Sequence, residues 1–179
     1  LHVYPLAMLW GIREVLDRAC TCDVGDEYSL GTILLVSLVL GSAGGLLSLW
    51  ISAWVLGWTG KWLHGKAEAQ HLRTACAWAC VPVVFALGLW MIQLLVIGPE
   101  MFKSETPQLH ASAMRDGILV ITAALEIVLS LWSLVLLCQT VAEAQGFASS
   151  WRGLLNVVLA AAVILVPVVL IAMGVVLLG

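Results

Sequence analysis

Four stretches of this chain run for about twenty residues or more with almost no charge, and no other feature restricts its fold as strongly. Tyr28–Leu63 carries no charge before Lys61, Thr74–Gly98 and Gly153–Gly179 carry none, and Gly117–Thr140 carries only Glu126. A bilayer core about 30 Å thick is crossed by roughly 20 apolar residues in a helix. The 179 residues are 62% apolar and 11% charged, with a mean hydropathy of +1.06. A soluble domain is about 45–50% apolar and about 25% charged, and a soluble fold this small cannot hide the excess. The expectation is an all-α, polytopic transmembrane bundle, one domain over residues 1–179, in the membrane class and without room for a second, water-soluble domain. A formal charge of −3 and the lack of a long basic run set nucleic acid aside as a partner.

Residues 28–63 would make a helix about 54 Å long at ~1.5 Å per residue, longer than the hydrocarbon is thick. A turn at Gly41-Ser42-Ala43-Gly44-Gly45 would leave too few residues before it to span, and would expose unpaired backbone to lipid. One long helix bent near these glycines is therefore expected. The same small residues make a surface on which another helix can approach closely. The other spans are expected near 74–98, 117–140 and 153–178.

A fifth helix is expected over residues 3–20, opening with Pro5 in its first turn. Arg13 with Asp17, and Glu14 with Arg18, stand at i,i+4 spacing and can meet on the helix surface. The charges leave open whether this segment crosses the bilayer, spans it in part, or lies in the interface. Loops 60–73 and 142–152 hold Lys61, Lys66, Arg73 and Arg152, and loop 99–116 holds Lys103 and Arg115. The positive-inside rule then places the first two in the cytoplasm. No signal peptide is visible, and Leu1 in place of an initiator methionine is read as the mark of a preceding segment. The five cysteines are too few and too scattered for a disulfide framework.

Glu126 is the sharpest candidate for chemistry, because a charge near the bilayer centre costs roughly 2.5–3.5 kcal/mol on insertion scales. It needs a partner, and Arg13 or Arg18 can supply one. Arg13, Glu14, Asp17, Arg18 and Glu126 together form the candidate intramembrane polar site: an ion or proton site on one reading, a structural lock between helices on the other. Trp50, Trp54, Trp58 and Trp62 follow one another at i+4 spacing as a slowly winding ridge that ends beside Lys61, where an aromatic belt belongs. A ligand cage is the alternative for this ridge. His64, His71, Cys76 and Cys80 match no zinc spacing, and no cofactor is expected. Pro82 and Pro167 are placed to kink their helices. No nucleophile motif or phosphate-cradling loop is present, so the chain reads as no enzyme. Inverted repeats of the kind found in transporters are not visible.

The order of these features resembles a known family. Gly25-Asp26, Leu30-Gly31-Thr32-Ile33-Leu34, Gly41-Ser42 and Trp58-Thr59-Gly60-Lys61-Trp62-Leu63-His64-Gly65 lead into Leu72-Arg73 and on through Ala77-Trp78 to Pro82. The run is similar to bacterial members of the Yip family of Ypt/Rab-GTPase-interacting membrane proteins. The resemblance implies five membrane helices, with residues 3–20 as the first, and a cytoplasmic N-terminal side. In eukaryotes the family is linked to Golgi and endoplasmic-reticulum traffic, prenylated Rab GTPases and membrane shape. For a bacterial chain in the inner membrane no Rab partner would apply. The expected role is a non-enzymatic membrane-organising or partner-binding scaffold, with Lys61, Lys66 and Arg73 as a cytoplasmic loop that meets lipid or a partner. The partners are then the lipid bilayer, another membrane protein or a second copy. The alternative is a small transporter or channel built on Glu126.

Overall fold

The computed structural model describes residues 3–104 and 113–178, and among them it is helical with no strand. The helices are α1 (Tyr4–Thr21), α2 (Leu30–Trp62), α3 (Ala69–Ala79), α4 (Val81–Ile97), α5 (Ala113–Gln145) and α6 (Ser150–Leu178). Short 3₁₀ turns at Val24–Asp26 and Gly98–Phe102 cap one end of the bundle. Among the described residues four stretches are long and apolar enough to cross a membrane: Leu30–Trp62, Ala69–Phe102, Met114–Gln145 and Ser150–Leu170. The protein is an integral, multi-pass membrane protein. Large apolar side chains such as Leu35, Trp54, Phe85, Leu95 and Val120 point outward, as a bundle solvated by lipid requires.

α2 is one helix and not a hairpin. It begins at Ser29, whose Oγ accepts the Thr32 N–H at 3.3 Å, and runs unbroken through Gly41–Gly45. What the glycines supply is proximity. Gly41 and Gly45 face Gly11 and Ala7 of α1 so closely that a Cβ on Gly45 would fall on the Ala7 carbonyl oxygen. A Cβ on Gly41 would stand 2.6 Å from the Ile12 Cα. Between apolar helices in lipid, such van der Waals contact is the main source of association.

α1 accordingly packs into the bundle along the first half of α2, burying Ala7, Gly11, Leu16 and Ala19. Its eighteen residues give a length of about 27 Å, close to the hydrocarbon thickness. It falls outside the four apolar spans because Arg13, Glu14, Asp17 and Arg18 fill its second half.

The expected 74–98 span is two helices in line, α3 and α4, broken at Cys80 where Pro82 has no N–H to give. Ser133 of α5 covers the break, its hydroxyl donating to the Ala79 carbonyl at 2.6 Å. Pro167, by contrast, sits inside α6 without ending it. One core lies toward the α2–α3 end around Leu49, Leu56, Leu72 and Val141, and a second toward the opposite end around Leu16, Trp90, Ile97 and Phe102.

Candidate functional site

Among the described residues two polar assemblies stand out within the apolar bundle. The first joins α1, α4 and α5. Arg13 Nη2 of α1 donates to Glu126 Oε2 of α5 at 3.3 Å, and the two side chains are only 14% and 17% exposed. Gln93 of α4 completes it. Its amide donates to the Thr122 hydroxyl at 2.7 Å and lies 3.4 Å from Glu126 Oε1. Thr122, one turn before Glu126, is held in place by donating to the Ile118 carbonyl at 2.8 Å. A carboxylate inside the membrane is thus met by a guanidinium and an amide from two other helices, the usual way such a group is kept.

The remaining charges of α1 sort by depth. Asp17 stands 3.9 Å and Glu14 4.0 Å from Arg13, so the guanidinium has carboxylates on its own helix as well as across the bundle. Arg18 turns away from Glu126. It is 75% exposed and pairs with Glu14 at 3.2 Å. Of the two arginines that could partner Glu126, the nearer to the bundle centre takes the role.

The second assembly closes the end where α2 stops and α5 turns into α6. α2 finishes in a Schellman cap. The Gly65 N–H returns to the Gly60 carbonyl at 2.8 Å and the His64 N–H to the Lys61 carbonyl at 3.1 Å, with His64 left-handed at φ 63°. α5 ends in the same way, with Phe147 N–H on Ala142 O at 2.8 Å, Gly146 N–H on Glu143 O at 3.0 Å, and Gly146 at φ 70°.

Gln145 locks the two caps together. Its carbonyl accepts the Lys66 N–H at 3.1 Å, its side-chain oxygen accepts the Ala67 N–H at 3.2 Å, and its amide donates to the Leu56 carbonyl at 3.0 Å. Gly60 and Gly65 leave the room it occupies, since a Cβ on either would land on the Gln145 amide. Beside it Asn156 of α6 donates to Leu56 O at 3.3 Å and meets the Thr59 hydroxyl at 2.7 Å. Thr59, Gln145 and Asn156 are all buried.

On this frame stand the basic and aromatic residues. Lys61 and Lys66 are exposed, and Arg152 lies at the start of α6. Trp54, Trp58 and Trp62 face outward, Trp58 stacking near Trp54 at 6.2 Å and meeting Trp62 edge-on at 5.1 Å. Arg73 behaves differently. Its guanidinium lies 4.0 Å over the exposed Trp50 ring while its Nε donates to the Ala69 carbonyl at 3.2 Å, so its charge already has partners within the protein. At the opposite end the described charges are mainly acidic: Asp23, Asp26, Glu27, Glu100 and Asp116.

Gln93, Thr122, Thr59, Gln145 and Asn156 are missing from the residues picked out by sequence. Gln93 and Asn156 were open to notice as side-chain amides inside apolar runs, where an unpaired amide is unfavourable. Among the described residues no three His, Cys, Asp or Glu side chains converge as a metal site would require. A cleft of about 300 Å³ lies between α1, α2, α3, α5 and α6, with Ser48, Ser52 and Ser133 as its polar groups.

A family model, that of the Yip1 domain, matches residues 4–171. The match is to the domain as such, and the bacterial subtype expected from the sequence is not borne out by it. No curated protein and no solved structure matches the chain.

Proposed function

The chain belongs to the Yip1-domain family, and from that premise we propose that it is a non-enzymatic membrane-organising or partner-binding scaffold that works through the basic end of its bundle. The family is associated with interactions with membrane proteins and GTPases and is not known for catalysis. The observation that carries the reading is the pair of locked helix caps. They hold Lys61 and Lys66 exposed on a rigid base beside Trp58 and Trp62.

Lys61, Lys66, Arg73 and Arg152 gather at this end, against Glu68 and Glu143, so the positive-inside rule turns it to the cytoplasm. Each exposed lysine there attracts anionic headgroups by ~1 kcal/mol, and the tryptophans fix the depth of the bundle. Arg73 contributes less, since it is committed to Trp50 and Ala69. The Arg13–Glu126 pair acts as an internal latch between α1 and α5.

The test uses the full chain in vesicles containing either anionic or zwitterionic brominated lipids, which quench tryptophan on contact. Anionic lipid should quench more strongly, and Lys61→Gln with Lys66→Gln should abolish the difference. An unchanged preference in that variant refutes the lipid-facing role. The competing reading, a small transporter or channel, requires that Glu126→Gln abolish flux while folded yield is kept. The latch requires instead that folded yield fall.

A further inference from the structure

At the acidic end, α1 and α2 diverge from their glycine crossing and leave a groove of about 450 Å³. Val15, Ala19, Val24, Ile33 and Val36 line its sides, Ser37 closes its deep end, and Arg18 and Tyr28 stand at its mouth. From Leu30, the first residue of α2, to Ser37 is seven steps of helix, about 10 Å, and Tyr28 and Ser29 ahead of the helix carry the groove outward toward half the hydrocarbon thickness of about 30 Å. The groove therefore runs through most of one leaflet and is apolar along its walls.

The mouth is polar and charged in a particular way. Arg18 gives Nε and Nη2 to the same Glu14 oxygen, at 3.3 and 3.2 Å, which leaves Nη1 for another acceptor. Tyr28 is 53% exposed, at the level where the apolar run begins. Glu14 already pairs with this guanidinium, and Asp23 and Glu27, chain neighbours of the mouth residues Cys22, Val24 and Tyr28, are exposed. A single guanidinium inside an acidic rim suits a headgroup that carries both signs. It accepts a phosphate at Arg18, while the carboxylates attract an amine and repel an anionic headgroup.

We propose that this groove is a binding site for one zwitterionic phospholipid of the surrounding leaflet. One acyl chain lies between α1 and α2, the phosphate sits on Arg18 and Tyr28, and the amine faces the acidic rim. The site is distinct from the basic end and does not depend on the scaffold reading.

The test is native mass spectrometry of the full chain in detergent with equimolar phosphatidylethanolamine and phosphatidylglycerol. One phosphatidylethanolamine should be retained in preference to phosphatidylglycerol. Arg18→Gln should lower that retention about tenfold, the effect of losing one hydrogen bond to a charged group. Val36→Trp, which fills the groove from its lipid-facing edge without touching a charge, should lower it as far, and Thr32→Phe serves if that variant folds poorly. Lys103→Gln, an exposed cation at the same end outside the groove, should leave retention unchanged. Equal retention of the two lipids, no effect of Arg18→Gln and the groove fillers, or an equal loss with Lys103→Gln would each overturn the proposal.

Discussion

Gly44 and Gly45 are neighbours in α2, yet the structure assigns opposite outcomes to the same substitution at each. A Cβ on Gly45 would fall on the Ala7 carbonyl oxygen, 2.9 Å from the Ala7 carbonyl carbon and 3.1 Å from the Gly11 Cα. All of these are backbone atoms, so no side-chain rotation relieves the clash. α1 must move as a body until carbon atoms regain a separation of about 3.5–4.0 Å. Arg13, two residues beyond Gly11, then loses reach of Glu126, which it now meets at 3.3 Å. Overpacking of this kind destabilises by about 1–3 kcal/mol, and the strained ion pair places Gly45→Ala at the upper end of that range. A Cβ on Gly44 meets nothing within 4 Å. Gly44→Ala therefore only removes a glycine from a helix interior and stabilises by about 0.5–1 kcal/mol. Denaturant unfolding in detergent micelles, followed by tryptophan fluorescence, gives both midpoints. Shifts of the same sign and size for the two variants would refute the close α1–α2 crossing.

Other substitutions examine the polar assemblies by the same unfolding measurement. Arg13→Gln and Glu126→Gln should each destabilise by about 3 kcal/mol, the effect of removing one partner of a buried pair. The double variant should lose less than the sum, and additive losses would show that the two side chains do not interact. Gly60→Ala should destabilise by about 1–3 kcal/mol through the clash with Gln145, and most of that loss should vanish in a Gln145→Ala background. His64→Gly should raise stability by about 1 kcal/mol by relieving the left-handed backbone at φ 63°; no gain would mean that the α2 cap has another conformation. Ser133→Ala should cost about 0.6–1.7 kcal/mol, the range for hydrogen bonds between membrane helices, through loss of the bond to Ala79.

What the sequence made legible follows from where its signal is strong. Charge-free runs define spans, because lipid accepts little else, and these appear as α2, α3 with α4, α5 and α6. Their ends differ by several residues. Ala69–Arg73 and Ala113–Asp116 are polar turns that continue the helices beyond the hydrocarbon, where hydropathy no longer marks them. The link from Glu126 to Arg13 was open to reading, since an intramembrane carboxylate calls for a cation and few are available. Gln93, Thr122, Thr59, Gln145 and Asn156 were not chosen. A helix apolar on every side carries no periodic signal of which face is inward. A neutral amide therefore gives no hint of its partner until the rotation and depth of each helix are known. Arg73 adds a contact that its place in a basic loop did not announce, its guanidinium lying over the Trp50 ring.

The segment that carried the family resemblance has a physical role of its own. Gly60 and Gly65 of the Trp58–Gly65 run are the two ends of the bond that closes α2, and both give way to the Gln145 amide. Thr59 in the same run holds Asn156 of α6. Three separate parts of the chain, at 56–67, 145 and 156, thus meet in one buried lock, and the glycines of the motif are needed for its geometry. Lys61 and His64, which lie between those glycines, project from the lock and take no part in it through their side chains. The glycine spacing therefore serves the rigid base, and on the proposed function the exposed side chains form the contact surface. A Lys61→Glu variant should fold with an unchanged unfolding midpoint and lose its preference for anionic lipid, while Gly65→Ala should lower the midpoint at unchanged surface charge. If Lys61→Glu instead unfolded the protein as Gly65→Ala does, frame and contact surface would be one structure, and the division of roles between them would fail.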